Sequence, residues 1–164
     1  MNNNQQKILG VDPGYGRIGF GIIRENNNDL KYIDHGCIET SKDLELNKRL
    51  IQIKEALKKI LAEYNPDVAA VEELFFCKNV KTAIDVGQAR GVILLSLSEF
   101  GLNIEEYTPK QIKSTLTGKG NADKKQIQQM VKMQLDLNKK PSQDDAADAL
   151  AVALCSSLTQ NFSK

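Results

Sequence analysis

The chain has 164 residues and a net charge of +1, and its charged fraction of 26% and hydrophobic fraction of 41% are ordinary for a globular protein. That length favours one domain, residues 1–164, which can bury a core without disulfides or metals. No apolar run approaches the roughly eighteen residues of a membrane span, and the polar start lacks a secretory signal, so we expect a cytoplasmic protein without a membrane partner, with its three cysteines reduced.

The first part of the chain predicts an antiparallel meander followed by a helix. Residues 7–12, 17–24 and 31–40 have the short apolar runs of strands, with a glycine-rich turn after the first and a polar loop after the second. Residues 44–64 carry apolar side chains three and four positions apart, which predicts an amphipathic helix that ends at Asn65.

The second part alternates strands and helices. A strand is predicted at 67–72, a helix at 79–99 and a further strand at 103–107. From residue 109 the chain is predicted to be helical, apart from a lysine- and glycine-containing loop at 117–123. The predicted order of elements is three strands, helix, strand, helix, strand and helix. This is the order of a ribonuclease H-like fold. The predicted class is therefore α/β, with a five-stranded mixed sheet flanked by helices.

Four carboxylates fall where a metal-dependent nuclease needs them. Asp12 and Glu72 end two predicted strands, and Asp145 and Asp148 are three residues apart on one face of the last helix. Mg²⁺ prefers such hard oxygen ligands. Two Mg²⁺ ions about 3.5 to 4 Å apart can activate a water and stabilise the leaving oxygen of a phosphodiester. The four acids therefore predict a two-metal site, in which Mn²⁺ is a possible substitute.

Each acid also has a purely structural interpretation. Ser142 and Asp145 fit a capping box, in which the aspartate would reach back to a backbone N–H. Asp144 is one turn from Asp148, so spacing leaves open which aspartate pairs with Asp148. Glu73 is an equal candidate for the acid at the second strand end, and the first acid could shape the turn that follows it.

The lysines are unevenly distributed. From Lys110 to Lys140 there are eight lysines against two aspartates, an excess of six positive charges, so the rest of the chain has an excess of five negative charges. This asymmetry predicts a basic surface that meets a polyanion. A solvated, lysine-rich helix face would produce the same pattern.

The sequence resembles the bacterial RuvC Holliday junction resolvases over nearly its whole length. The matching segments, in chain order, are ILGVDPG, GCIET, VEELFFCKN, GQARG, TGKGNADKKQIQQMV and DDAADALAVAL. The resemblance implies a structure-specific endonuclease of ribonuclease H-like fold. It implies as catalytic metal ligands Asp12, Glu72, Asp145 and Asp148. It also implies that the neighbours Glu73 and Asp144 are not catalytic.

The resemblance also suggests residues that bind DNA. Phe75 matches the family's aromatic residue at the junction crossover, where a ring could stack on an unpaired base; a core position is the alternative. Lys113 and Lys124 match functionally important lysines near the scissile phosphate, where they could stabilise developing charge. We interpret Lys119 and Lys125 as contacts to the DNA backbone that add affinity and salt dependence.

The predicted middle helix suggests a dimer. Ala83, Gly87 and Gly91 recur every fourth residue and leave one face small enough for another helix, although packing on the protein's own sheet would explain them equally well. The resemblance implies a homodimer through this helix. A two-fold dimer would present two sites to a four-way junction and make paired symmetric nicks with 5′-phosphate and 3′-hydroxyl ends. The resemblance further implies cooperation with the RuvA and RuvB branch-migration proteins.

Three other functions fit parts of the sequence. Another nuclease of the same fold is possible, either a ribonuclease H or the RuvC-like family of ribosomal RNA processing. The glycine-rich first hairpin is also similar to the phosphate hairpin of actin-like ATPases, although those need two such domains to enclose a nucleotide. A junction-binding protein without catalysis is the third alternative, and the presence of all four carboxylates argues against it.

Overall fold

A computed structural model describes residues 5–27, 29–74 and 80–162. The strands are β1 Gln5–Asp12, β2 Arg17–Asn26, β3 Asp29–Glu39, β4 Val68–Glu72 and β5 Asn103–Tyr107. The helices are α1 Leu46–Tyr64, α2 Val80–Glu99, α3 Pro109–Thr117, α4 Lys124–Gln134 and α5 Asp144–Phe162. Each predicted strand and helix is present, with bounds that differ by at most a few residues from those predicted.

The strands form one mixed sheet in the order β3-β2-β1-β4-β5. The first three strands pair antiparallel, whereas β1 with β4 and β4 with β5 pair in parallel. The predicted meander and five-stranded mixed sheet are therefore confirmed. Because β1 and β4 are parallel neighbours, their last residues, Asp12 and Glu72, lie at the same edge of the sheet.

Helices cover both faces of the sheet and give two apolar cores. On one face, α1 and α2 pack on Leu9, Val11 and other strand residues. On the other, α5 lies between the sheet and the pair α3 and α4, in a core that includes Ile8 and Leu150. Ile8 and Leu9 belong to different cores because successive side chains of a strand point to opposite faces of the sheet. Helix α5 is buried on nearly all sides, so its sequence is apolar and alanine-rich.

Glycines in the first two strands allow α5 to lie directly on the sheet backbone. A Cβ atom at Gly10 would be 2.0 Å from the carbonyl oxygen of Ala149, and one at Gly19 would be 1.9 Å from that of Asp145. A side chain at either position would force the helix away from the sheet. The glycines therefore determine how closely the acids of α5 approach the end of β1.

Local signals fix the ends of the helices near that edge. Thr108 and Gln111 form a capping box at the start of α3, and the helix stops at Gly118, which has a φ of 74°. Asp123 and Gln126 form a second capping box that starts α4. The loop between the two helices is the predicted break, and its second cap determines where Lys124 begins α4.

Two further observations concern the membrane and the cysteines. None of the helices in the described ranges is both long enough and apolar enough to cross a bilayer. Cys37 and Cys155 are free thiols, as expected, and burial raises the pKa of each. Cys77 lies outside the described residues.

Candidate active site

Three elements bring the four predicted acids to one edge of the sheet. Asp12 ends β1 and Glu72 ends the adjacent strand β4. Asp145 and Asp148 lie in the first turns of α5, and the Asp145 backbone rests on Gly19, the residue that pairs with Asp12 across β1 and β2. Acids that are 60 or more residues apart in sequence are thus neighbours in space.

The pKa of Asp12 reports how closely the acids interact. Burial, the charge of Glu72, a hydrogen bond shared with Glu72, and the charges of Asp148 and Asp145 together raise the pKa of Asp12 to about 9. Burial also raises the pKa of Glu72, although the hydrogen bond from Asp12 and the charge of Lys113 partly oppose that shift. The two carboxyls therefore share a hydrogen bond that needs a proton, and full ionisation of the pair requires compensating positive charge.

The two acids of α5 each contact a cation. Lys124 Nζ lies 3.3 Å from Asp148 Oδ2, and Arg17 Nη1 lies 3.6 Å from Asp145 Oδ2. Burial raises the pKa of Asp148 even though Lys124 opposes the shift. Burial acts to lower the pKa of Lys124, but its aspartate partners outweigh that effect and raise it. Positive side chains from β2 and α4 thus partly compensate the acid cluster.

Asp144 and Asp145, the two candidates for pairing with Asp148, differ in their surroundings. The side chain of Asp144 is 66% exposed, whereas that of Asp145 is 34% exposed. Asp144 contacts Gln128 at 3.1 Å and Lys124 at 3.3 Å, and it does so at the outer side of α5. The Asp145 carboxylate faces Arg17, which does not match its predicted capping interaction. Asp145 is thus the more enclosed of the two candidates for pairing with Asp148.

The donor set fits a hard divalent cation. In the described ranges, no three aspartate, glutamate, histidine or cysteine side chains are already arranged to hold an ion. Two of the acids share a proton and the other two are paired with cations, so their oxygens face these partners. All four nevertheless offer oxygen ligands, and burial opposes their simultaneous ionisation without added positive charge.

The predicted lysines separate into two groups. Lys113 and Lys124 line a cleft of about 230 Å³ together with Glu72 and Asp148. In contrast, Lys119 and Lys125 line an adjacent groove of about 550 Å³ that also includes Lys140. The first pair is therefore beside the acids, and the second lies along the outside of α4. The predicted DNA-stacking residue Phe75 lies outside the described residues.

Arg17 is a site residue that the sequence analysis missed. It begins β2, pairs in register with Glu39 of β3, and contacts both Glu39 and Asp145. A charged side chain directly after a glycine-rich turn was the available signal. Its proximity to Asp145 depends on how α5 packs on the sheet, which the sequence pattern alone does not specify.

The small face of α2 is open. A Cβ atom at Gly91 would meet no atom of the described residues within 4 Å, and one at Gly87 would meet only Leu74, at 3.8 Å. Ile84 and Leu95, on the same helix, are more than half exposed. The predicted alternative, in which this stripe packs on the protein's own sheet, is therefore wrong for Gly91.

Comparison with known proteins identifies the same family over most of the chain. The family described as crossover junction endodeoxyribonuclease RuvC matches residues 8–156. A protein of that name from Thermosipho melanesiensis is 54% identical over 95% of this chain and 99% of its own length. One from Petrotoga mobilis is 56% identical over 90% of this chain and 91% of its own length.

A solved structure agrees with the sequence comparisons. The structure of T. thermophilus RuvC in complex with a Holliday junction substrate superposes on this chain with a TM-score of 0.90. The two sequences are 30% identical, and the superposition covers 96% of each chain. The predicted ribonuclease H-like fold is therefore confirmed.

Proposed function

The chain belongs to the RuvC family of crossover junction endodeoxyribonucleases, and we propose that it resolves four-way DNA junctions in homologous recombination and DNA repair. The reaction is a pair of symmetric nicks that leaves 5′-phosphate and 3′-hydroxyl ends. A family member with the same fold has been solved with a Holliday junction substrate, which supports this substrate for the present chain. We assign this activity to residues 1–164 acting as one nuclease domain in the cytoplasm.

The observation that carries the proposal is the meeting of four acids from β1, β4 and α5, two of which, Glu72 and Asp148, line one cleft with Lys113 and Lys124. A protein that only bound junctions would have no use for two partly buried carboxyls whose pKa values are both raised, that of Asp12 in part by the charge of Glu72. Such a cluster is destabilising unless cations compensate it, and a metal-dependent nuclease supplies them.

The family is metal-dependent, and we assign the metal-binding role to Asp12, Glu72, Asp145 and Asp148. We propose two Mg²⁺ ions, for which Mn²⁺ can substitute. When bound, the ions activate the attacking water and stabilise the leaving oxygen. The protein holds Asp12 and Glu72 on adjacent strands and positions the α5 pair through the contact of the helix with Gly19.

The lysines have two roles in this proposal. Lys113 and Lys124 lie in the cleft with the acids, where they would hold the scissile phosphate and stabilise its developing charge. Lys119 and Lys125 lie along the adjacent groove, where they would contact the DNA backbone and add affinity that falls with salt. Phe75 remains the proposed residue for stacking on an unpaired base.

We propose that the active form is a homodimer through α2. The open positions at Gly87 and Gly91 and the exposed side chains of Ile84 and Leu95 support this interface. An isologous dimer presents two identical sites related by a two-fold axis, as paired symmetric nicks require. In recombination the dimer would act with the RuvA and RuvB branch-migration proteins.

The test is cleavage of a labelled synthetic four-way junction in Mg²⁺, beside a linear duplex and an RNA–DNA hybrid, with EDTA as the metal-free control. Paired nicks at symmetric positions in the junction alone support the proposal. Cutting of the hybrid alone would assign the chain to ribonuclease H activity. Tight junction binding without cutting, across several sequences and metals, would make it a binding protein.

A further inference from the structure

Arg17 connects the acid cluster to solvent. Its Nη2 lies 3.1 Å from Glu39 Oε1 and its Nη1 lies 3.6 Å from Asp145 Oδ2. The side chains of Arg17 and Glu39 are 52% and 60% exposed, whereas that of Asp145 is 34% exposed. The guanidinium therefore spans from solvent to a carboxylate that we assign as a metal ligand.

Arg17 lies on the opposite side of the cluster from the lysines of the cleft. It belongs to β2, which flanks β1 and Asp12 on one side, whereas β4 with Glu72 flanks them on the other. Lys113 acts on Glu72, and Lys124 from α4 pairs with Asp148. The acids thus have cations on both sides, and the cation on the β2 side is Arg17.

A metal ion and Arg17 compete for the same carboxylate. A divalent ion held by Asp145 would repel a guanidinium at contact distance. Arg17 would then lose its contact with Asp145 and keep its exposed contact with Glu39. A guanidinium presents a planar fork of donors that matches phosphate oxygens, so a released Arg17 is suited to bind the DNA backbone.

We infer that Arg17 is a phosphate-binding residue that Asp145 retains in the metal-free protein and releases to the DNA when metal binds. The inference rests on the proposed function, because it takes Asp145 as a metal ligand and junction DNA as the substrate. It predicts that Arg17 opposes metal binding in the absence of DNA and favours DNA binding in the presence of metal.

The experiment compares Arg17→Ala and Arg17→Lys with Lys59→Ala in the full chain. Lys59→Ala removes one exposed positive charge from α1. Lys59 lies near the C-terminal end of that helix, where the Tyr64 carbonyl accepts a hydrogen bond from Lys7 at the start of β1. This control is therefore distant from Asp12, at the end of β1. It separates a local effect of Arg17 from the effect of net charge.

Two readouts are independent of cleavage. The first is Mn²⁺ affinity without DNA, measured from the electron paramagnetic resonance signal of free Mn²⁺. Arg17→Ala should bind Mn²⁺ about two- to fivefold more tightly, since a partly exposed competing ion pair is lost. The second is junction affinity in Ca²⁺ as a function of salt. The slope of log affinity against log salt should fall by about 0.9 in Arg17→Ala, as expected for one lost phosphate contact.

Arg17→Lys should restore most of the salt slope, since it keeps the charge, and Lys59→Ala should change neither readout. Unchanged Mn²⁺ affinity together with an unchanged salt slope in Arg17→Ala would overturn the inference. A decrease in both affinities would also overturn it, because that result indicates a structural role. If the unmodified protein bound Mn²⁺ but no junction, the proposed function would fail instead, and the metal readout alone would still test the competition.

Discussion

Gly19 and Asp145 are in backbone contact, so close that a Cβ atom on the glycine would lie 1.9 Å from the aspartate's carbonyl oxygen. Gly19 is also the partner of Asp12 in the β1–β2 register. One glycine therefore sets the distance between the sheet that carries the first acid and the helix that carries the last two.

Gly19→Ala should damage both stability and the site. Because the obstructing atoms are backbone, the added methyl group can be accommodated only if α5 moves away from the sheet. We expect a loss of about 1 to 3 kcal/mol in the free energy of unfolding, typical of overpacking, measured by urea denaturation. Cleavage of the junction should fall by at least tenfold in the fraction that remains folded.

The matched control is Gly91→Ala. Gly91 lies in α2 with open space around its Cβ position in the described structure, so alanine should stabilise the monomer by up to about 1 kcal/mol through helix propensity. Equal stability of the two variants would show that the helix and sheet are less rigidly joined than the contact implies.

Asp145→Asn should abolish cleavage while leaving junction binding intact. Metal ions contribute several kcal/mol to transition-state stabilisation, so the nicking rate should fall by at least about a thousandfold. The comparison is Asp144→Asn, which changes the adjacent, more exposed carboxylate. Asp144→Asn should retain at least about a third of the rate, and a reversed order would transfer the ligand role to Asp144.

Much of this arrangement was predictable from the sequence, for local reasons. A short apolar run before Asp12 identified the strand end there, and helical periodicity together with Asn65 identified the end of α1. Such patterns depend on residues a few positions apart, where strand and helix periodicity act directly. The element order then predicted the fold class, which the comparison with a solved structure confirmed.

The parts that were not predictable depend on tertiary contacts. Spacing within the last helix could not distinguish Asp144 from Asp145 as the partner of Asp148, because all three lie within about one turn of each other. The resemblance to the RuvC family favoured Asp145. The greater exposure of Asp144 compared with Asp145 agrees with that assignment. Arg17 was missed because its contact with Asp145 spans 128 residues of sequence and exists only when α5 lies on Gly19.

Lys124→Ala should slow cleavage more than it weakens binding. Lys124 contacts Asp148 and lies in the cleft with the acids, so its charge acts where the reacting phosphate would be held. We expect single-turnover cleavage to fall by about a hundredfold, with a loss of junction affinity of less than about tenfold. Lys125→Ala is the control, because the adjacent lysine lines the outer groove. It should weaken binding and leave the rate at saturation unchanged. If Lys124→Ala lost rate and affinity to the same extent, the role of this lysine would be to contact the DNA backbone and not to stabilise the transition state.

Gly91→Arg should dissociate the dimer without harming the monomer. The position is open in the described structure, and arginine has a higher helix propensity than glycine, so the monomer should gain stability. In an isologous interface the change is made on both copies, and a long charged side chain where the helices would pack closely opposes association. Sedimentation velocity should show a shift from dimer to monomer, and paired nicking should be lost.

The control for this variant is Gln134→Arg, an equal charge change at an exposed position of α4. It should leave the molecular mass in solution unchanged. A dimer that persists in Gly91→Arg would place the interface on another surface.

The acid cluster should make the metal-free protein less stable as pH rises. The pKa of Asp12 is about 9 in the folded chain, against 3.8 for an ordinary aspartate. Between these two pH values the folded chain holds a proton that the unfolded chain has released. The stability that this proton provides is therefore lost as pH increases through that range. The raised pKa values of Glu72 and Asp148 act in the same direction. In EDTA the melting temperature should fall from pH 5.5 to pH 8.5.

Asp12→Asn isolates the contribution of this residue. The amide can donate to Glu72 as the protonated acid does, but it has no proton to lose, so the variant should show a flatter pH dependence. At pH 8.5 in EDTA the free energy of unfolding of Asp12→Asn should be higher than that of the parent protein by at least about 1 kcal/mol. This is equivalent to an increase of about 2 to 4 °C in Tm. Mg²⁺ should stabilise the parent more at pH 8.5 than at pH 5.5, because ionised carboxylates bind the cation and protonated ones do not. Identical melting curves for the two proteins across this range would show that the first acid ionises without cost and that its burial does not control metal binding.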